Sequence, residues 1–114
     1  MENKKTQAEM RAYALDVAKS CVCADRNRQY GEPEDNFRII GDLWGRYIAE
    51  ACIELQDGGG CRVHIRPLDV ANLMVLFKVG RAATAICQKP DTYIDIAGYA
   101  ACAAGMIDGE GETE

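Results

Sequence analysis

Apolar residues recur three and four positions apart along most of the chain. The pattern breaks at clusters of glycine, proline and charge, and it predicts four helices. The first is announced by Thr6-Gln-Ala-Glu9, a hydroxyl followed three residues later by a carboxylate, which is the arrangement of a capping box. It is expected to run to about residue 25, with Ala8, Ala12, Leu15, Ala18 and Val22 on one narrow face. The second is expected over residues 33 to 55, because Pro33 suits a first helical position and Phe37, Ile40, Trp44, Tyr47, Ile48 and Ala51 form a broad stripe. Gly41 and Gly45 lie one turn apart inside it, at a cost of about 1 kcal/mol each relative to alanine. Such a pair implies that something packs closely there.

Pro67 opens the third helix, expected to run to about residue 87 as the central element, since Leu68, Val70, Ala71, Leu73, Met74, Val75, Leu76, Phe77 and Val79 are apolar nearly all around. Its strong polar groups fall in two pairs, Asp69 with Asn72 and Lys78 with Arg81. The fourth is expected over residues 92 to 106 with Asp91 or Thr92 as its cap, and places Asp95 and Tyr99 on one face. Between the second and third helices, Gly58-Gly-Gly60 makes a loop that no Gly-Lys-Ser or Gly-Lys-Thr turns into a phosphate cradle. Cys61-Arg-Val-His-Ile65 alternates weakly, as a short extended segment would, and His64 reads as a loop or interface residue. Each apolar stripe needs a partner, so the expectation is an all-α protein, a small antiparallel four-helix bundle.

Composition narrows this reading. The chain has 114 residues, enough for one helical domain over residues 1–107 followed by an acidic, frayed tail at 108–114. A formal charge of −5 and the absence of a basic run argue against general duplex nucleic-acid binding. No apolar stretch approaches the roughly 20 residues needed to span a bilayer, and no signal-like segment follows the N-terminus, which predicts a cytoplasmic protein. Of the six cysteines, Cys21, Cys52, Cys87 and Cys102 fall in helical apolar patterns and read as reduced thiols. Cys21 and Cys23 with Cys61 and His64 lack the paired spacing of a structural zinc site. The surplus of apolar and aromatic residues for so small a core predicts a homo-oligomer.

The densest chemistry lies in Arg26-Asn-Arg-Gln-Tyr-Gly-Glu-Pro-Glu-Asp-Asn-Phe37. Guanidinium forks suit phosphate and tyrosine suits a base or ribose, so Arg26, Arg28, Tyr30 and Asn36, with Lys78 and Tyr99, are the candidate ligand-binding residues. Glu34 and Asp35 have a plain explanation as first-turn carboxylates facing a helix dipole, and Asp69 shares it.

These motifs, with Leu68-Asp-Val-Ala-Asn-Leu-Met-Val-Leu-Phe-Lys-Val-Gly-Arg81 and Asp91-x-Tyr-Ile-Asp-Ile-Ala-Gly-Tyr-Ala-Ala101, resemble a family of small phage and prophage proteins over roughly residues 26 to 104. More remotely the chain looks like the phage nucleotide-modification-associated domains and the all-α MazG-like nucleoside triphosphate pyrophosphohydrolases. The second resemblance implies a MazG-like fold and a nucleotide ligand. It would also imply magnesium held by paired acidic motifs, Glu-Glu-x-x-Glu and Glu-x-x-Asp, and this chain has neither spacing. Glu34, Asp35, Asp69 and Asp95 are the residues left to approximate such a site. The expected function is therefore a phage-type protein of the host cytoplasm that sequesters a phosphorylated nucleotide without a cofactor and without hydrolysis, host defence signalling nucleotides included. A magnesium-dependent nucleoside triphosphate pyrophosphohydrolase is the first alternative, and a helical protein-interaction module the second.

Overall fold

The computed structural model describes residues 4–25, 32–52 and 63–107, and among these the chain forms four α-helices, one π-helical turn and no strand. The helices are α1 (Gln7–Ser20), α2 (Pro33–Ala51), α3 (Pro67–Thr84) and α4 (Pro90–Gly105), and the π turn Cys21–Asp25 continues α1. The protein is all-α, as the periodicity predicts. No helix among the described residues is long and apolar enough to cross a membrane. The acidic tail at 108–114 lies outside the described residues.

The starts and stops follow local chemistry. Thr6 Oγ1 accepts from the Glu9 backbone N–H at 3.0 Å and Glu9 Oε1 accepts from the Thr6 N–H at 2.8 Å, so the capping box at α1 is complete. Proline opens α2, α3 and α4 at a position where its missing N–H is no loss. For α4 this moves the cap: Lys89 precedes Pro90 as the N-cap, so Asp91 and Thr92 lie within the helix. Side chains end α3 at Thr84, short of the expected 87. Gln88 Nε2 donates to the Ala82 carbonyl at 2.9 Å, satisfying a terminal group that further helix would otherwise occupy, and the Thr84 hydroxyl folds back to donate to the Gly80 carbonyl at 3.1 Å. Cys87 therefore sits outside the helix and is exposed, contrary to its apolar-pattern assignment.

Packing runs in sequence from one helix to the next: α2 against α3, α3 against α4, and α4 against α1. Phe37, Val70 and Ala71 form the buried cluster, with Ile40, Trp44, Met74, Tyr99 and Met106 packed around it. Val70 is fully buried, which stabilises the fold by about 1.5–3 kcal/mol on transfer from water. Ala18 on α1 and Ile94 on α4 complete the set of buried apolar side chains among the described residues.

Two glycines account for the closeness of α2 and the segment that leads into α3. A Cβ at Gly45 would lie 2.5 Å from the Val63 carbonyl oxygen, and one at Gly41 would collide with the Ile65 carbonyl and press on Val70. The backbone of residues 63–65 thus lies directly on α2, an approach that only glycine permits. This is the close packing that the glycine pair implies.

Three apolar assignments differ from the expectation. The inward face of α1 is Met10, Ala14, Val17 and Ala18, while Leu15 is exposed. Both sets have helical spacing, and the tertiary contact with α4 selects between them. On α2, Tyr47 and Ala51 at the end of the predicted stripe are exposed. On α3, Leu73, Leu76, Phe77 and Val79 face solvent although Val70 and Ala71 are buried. Neighbouring helices cover only part of its circumference.

Candidate functional site

A cavity of about 240 Å³ opens where α2, α3, α4 and the π turn meet. The π turn contributes Cys21 and Val22, α2 contributes Pro33, Asn36 and Phe37, and α3 contributes Lys78. Helix α4 supplies the longest wall through Ile94, Asp95, Gly98, Tyr99 and Cys102, one helical stripe at three- and four-residue steps. Gly98 faces Val22 of the π turn, whose Cγ1 would stand 3.4 Å from a Cβ at that position, close to an ordinary van der Waals contact.

The polar chemistry centres on an ion pair between helices. Lys78 Nζ lies 2.9 Å from Asp95 Oδ2, and the lysine side chain is 22% exposed against 46% for the aspartate. Lys78 therefore presents its ammonium from a largely covered stem, while Asp95 keeps access to water and to the cavity. Beside them Phe37 and Tyr99 stand with ring centroids 6.2 Å apart and planes tilted by 34°, giving the cavity an aromatic wall. The Asn36 amide adds both donor and acceptor capacity. A cation, a carboxylate, an amide, a phenol and aromatic surface thus converge from three helices.

Four predicted site residues meet there: Asn36, Lys78, Asp95 and Tyr99. Arg26, Arg28 and Tyr30 lie outside the described residues. Glu34 and Asp35 are exposed on the first turn of α2 and do not line the cavity. Asp69 is committed elsewhere. Its carboxylate accepts from the Arg66 backbone N–H at 2.9 Å, from Arg66 Nε at 2.9 Å and from Arg66 Nη2 at 2.8 Å. The guanidinium hydrogen bonds, and after them the backbone one, hold its carboxyl well below the usual range, at about 2. Asp69 thus stabilises the start of α3.

Among the described residues no group of three or more histidine, cysteine or acidic side chains is placed to hold a metal ion. Magnesium over a triphosphate is served by several convergent carboxylates. Asp95 is the only carboxylate among the described residues lining the cavity, and it is already paired with Lys78. The described lining thus offers one carboxylate where such an ion takes several.

Sequence reasoning places Phe37 in the core without its second role and misses Ile94, Gly98, Cys21 and Cys102 as lining residues. The signal for Gly98 and Cys102 is present, since both continue the Asp95–Tyr99 face of α4 by helical steps. The contribution of the π turn has no such signal. A second, larger groove of about 490 Å³ lies between the start of α1 and residues 88–93, lined by Gln7, Met10, Arg11, Ala14, Gln88, Lys89, Pro90 and Tyr93. It contains none of the predicted site residues.

Comparison with known proteins identifies relatives. The chain is 34% identical over 88 residues to the Gene 55 protein of Mycobacterium phage D29, covering 77% of this chain and 49% of that protein. It is likewise 34% identical over 86 residues to the Gene 55 protein of Mycobacterium phage L5, covering 75% and 47%. The chain thus spans about half the length of these curated relatives. No solved structure matches it significantly. Residues 13–107, which hold every described wall of the cavity, match the model of the family described as Domain of unknown function (DUF6378), and the chain belongs to that family, which has phage members.

Proposed function

We propose that the cavity binds a phosphorylated nucleotide and holds it without hydrolysis. The observation that carries this reading is the convergence of Lys78, Asp95, Asn36 and Tyr99, from three helices, on one cavity. Lys78 supplies a point charge for phosphate, the Asn36 amide matches the edge of a base, and the faces of Tyr99 and Phe37 offer stacking surface. A volume of about 240 Å³ is below the several hundred typical of a site for a whole drug-sized ligand. The cavity therefore takes one part of the nucleotide, and the remainder reaches the mouth. Arg26, Arg28 and Tyr30 belong in sequence to the connection between Val22 and Pro33, both of which line the cavity, and they are assigned to that outer part.

Capture is favoured over cleavage because the described lining residues offer one carboxylate, already paired, where magnesium chemistry uses several. The protein would then act as a sink in the cytoplasm of an infected host, lowering the free concentration of its ligand. Signalling nucleotides of antiviral defence are the class for which capture without turnover has the greatest consequence. With this reading goes a MazG-like, antiparallel arrangement of the helices; the short link 85–89 supports the antiparallel placement of α3 and α4.

The test is calorimetric titration with a panel of linear and cyclic nucleotides, in magnesium and in chelator, with the ligand then recovered and weighed by mass spectrometry. Tight binding in chelator with intact recovery is the expected result. Magnesium-dependent release of pyrophosphate that disappears in Asp95→Asn would replace capture with hydrolysis.

A further inference from the structure

Helix α2 carries on its outer side two parallel rows, each repeating every four residues. Ile39, Leu43 and Tyr47 form an apolar row whose members are 52%, 64% and 72% exposed, so exposure increases toward the end of the helix. Along its flank run Arg38, Asp42, Arg46 and Glu50, all exposed, with signs plus, minus, plus, minus. Arg46 and Glu50 approach to 3.2 Å within the chain, at side-chain exposures of 78% and 67%. Such an open pair contributes little to the monomer's stability.

We propose that this face binds the same face of a second copy, with the two α2 helices antiparallel about a twofold axis near Leu43 and Trp44. The alternating row specifies both partner and direction. When the row is reversed on itself, Arg38 opposes the other copy's Glu50 and Asp42 opposes the other copy's Arg46, giving four attractive cross pairs by symmetry. A parallel alignment about a twofold along the helices carries the two charged rows to opposite flanks of the contact, where they make no cross pairs. An isologous contact of this type is self-complementary and closed, so it stops at a dimer. The apolar row supplies the driving force, because Ile39, Leu43 and Tyr47 of both copies leave water on contact. The surface does not involve the cavity, so the inference stands independently of the nucleotide reading.

Sedimentation velocity of the full chain from low to high micromolar concentration tests this. The expected result is a dimer, with helical circular dichroism the same in wild type and variants. Arg38→Glu combined with Arg46→Glu makes the whole row acidic and should raise the dissociation constant about a hundredfold or more. The fourfold variant Arg38→Glu, Asp42→Arg, Arg46→Glu, Glu50→Arg inverts every sign yet remains self-complementary, and should restore the dimer. Tyr47→Ser should weaken the dimer without touching the charges. A wild-type mass that stays monomeric throughout, or a doubly substituted chain that dimerises as well as wild type, would overturn the proposal.

Discussion

Two cation–carboxylate pairs in this protein have nearly the same contact distance and different consequences. Arg66 and Asp69 lie three residues apart, meet at 2.8 Å and close a local loop at the start of α3. Lys78 and Asp95 meet at 2.9 Å but lie on different helices, and their pair forms part of the cavity. Every bond of the first pair is made within one turn of chain, so it reports on a helix terminus. The second exists only because α3 and α4 pack, so it reports on the tertiary fold and faces the cavity. Contact distance does not separate a pair that closes a helix terminus from one that joins two helices. The sequence separation of the partners, and what else faces them, does.

The contrast can be tested by substitution. Lys78→Met should have the largest effect, a loss of about 1.5–3 kcal/mol of nucleotide binding, roughly ten- to hundredfold, as for a deleted charged hydrogen bond. Its melting temperature should change little, because Asp95 is 46% exposed and can hydrate. A variant that binds every nucleotide as well as wild type would place the ligand away from this pair.

Asp69→Asn should do the reverse, leaving binding intact and lowering stability by up to about 1 kcal/mol at neutral pH. The folded-state carboxyl titrates at about 2, below its ordinary 3.8, so the unfolded chain binds the proton more readily between those values. Its stabilisation is therefore complete above about pH 4 and fades as pH falls through 2. Denaturant midpoints for wild type and variant should converge in that window. A gap that persists at the acid end would mean that the carboxylate's charge is not what stabilises α3.

Arg66→Ala should give the smallest effect, a slight drop in melting temperature, because the guanidinium is well exposed and Asp69 retains its bond from the residue 66 backbone N–H. Double-mutant analysis with Asp69→Asn separates the side-chain contribution from that backbone bond.

How far the chain could be read in advance follows the same division. Local signals were legible: the Thr6–Glu9 box, the prolines that open helices, and the close approach implied by Gly41 and Gly45 are each determined within one or two turns. Asn36, Lys78, Asp95 and Tyr99 were identifiable as chemistry, and the shared face of Asp95 and Tyr99 followed from their four-residue spacing. Periodicity does not state which helix neighbours which, so the Lys78–Asp95 contact was not readable. Nor was the choice between the two stripes of α1. Asp69 was legible as a first-turn carboxylate and as a candidate magnesium ligand, but its bonds to Arg66, just before the proline that opens α3, were not readable from periodicity. On α4 the expected cap was misplaced because Asp91 and Thr92 are good caps in isolation, whereas Pro90 already occupies the first helical position.

The contact of Gly41 and Gly45 with residues 63–65 also acts as a gauge block. It sets how far the origin of α3 stands from α2, and α3 is a stiff rod whose Lys78 lies about three turns, or about 16 Å, from Pro67. A methyl group added at Gly45 wedges that origin outward, and the rod carries the displacement to the far end. A hydrogen-bonded ion pair does not survive a shift of an ångström unchanged. The shape of the cavity therefore rests partly on two missing methyl groups that do not themselves line it, and natural variation at positions 41 and 45 would reshape it from a distance.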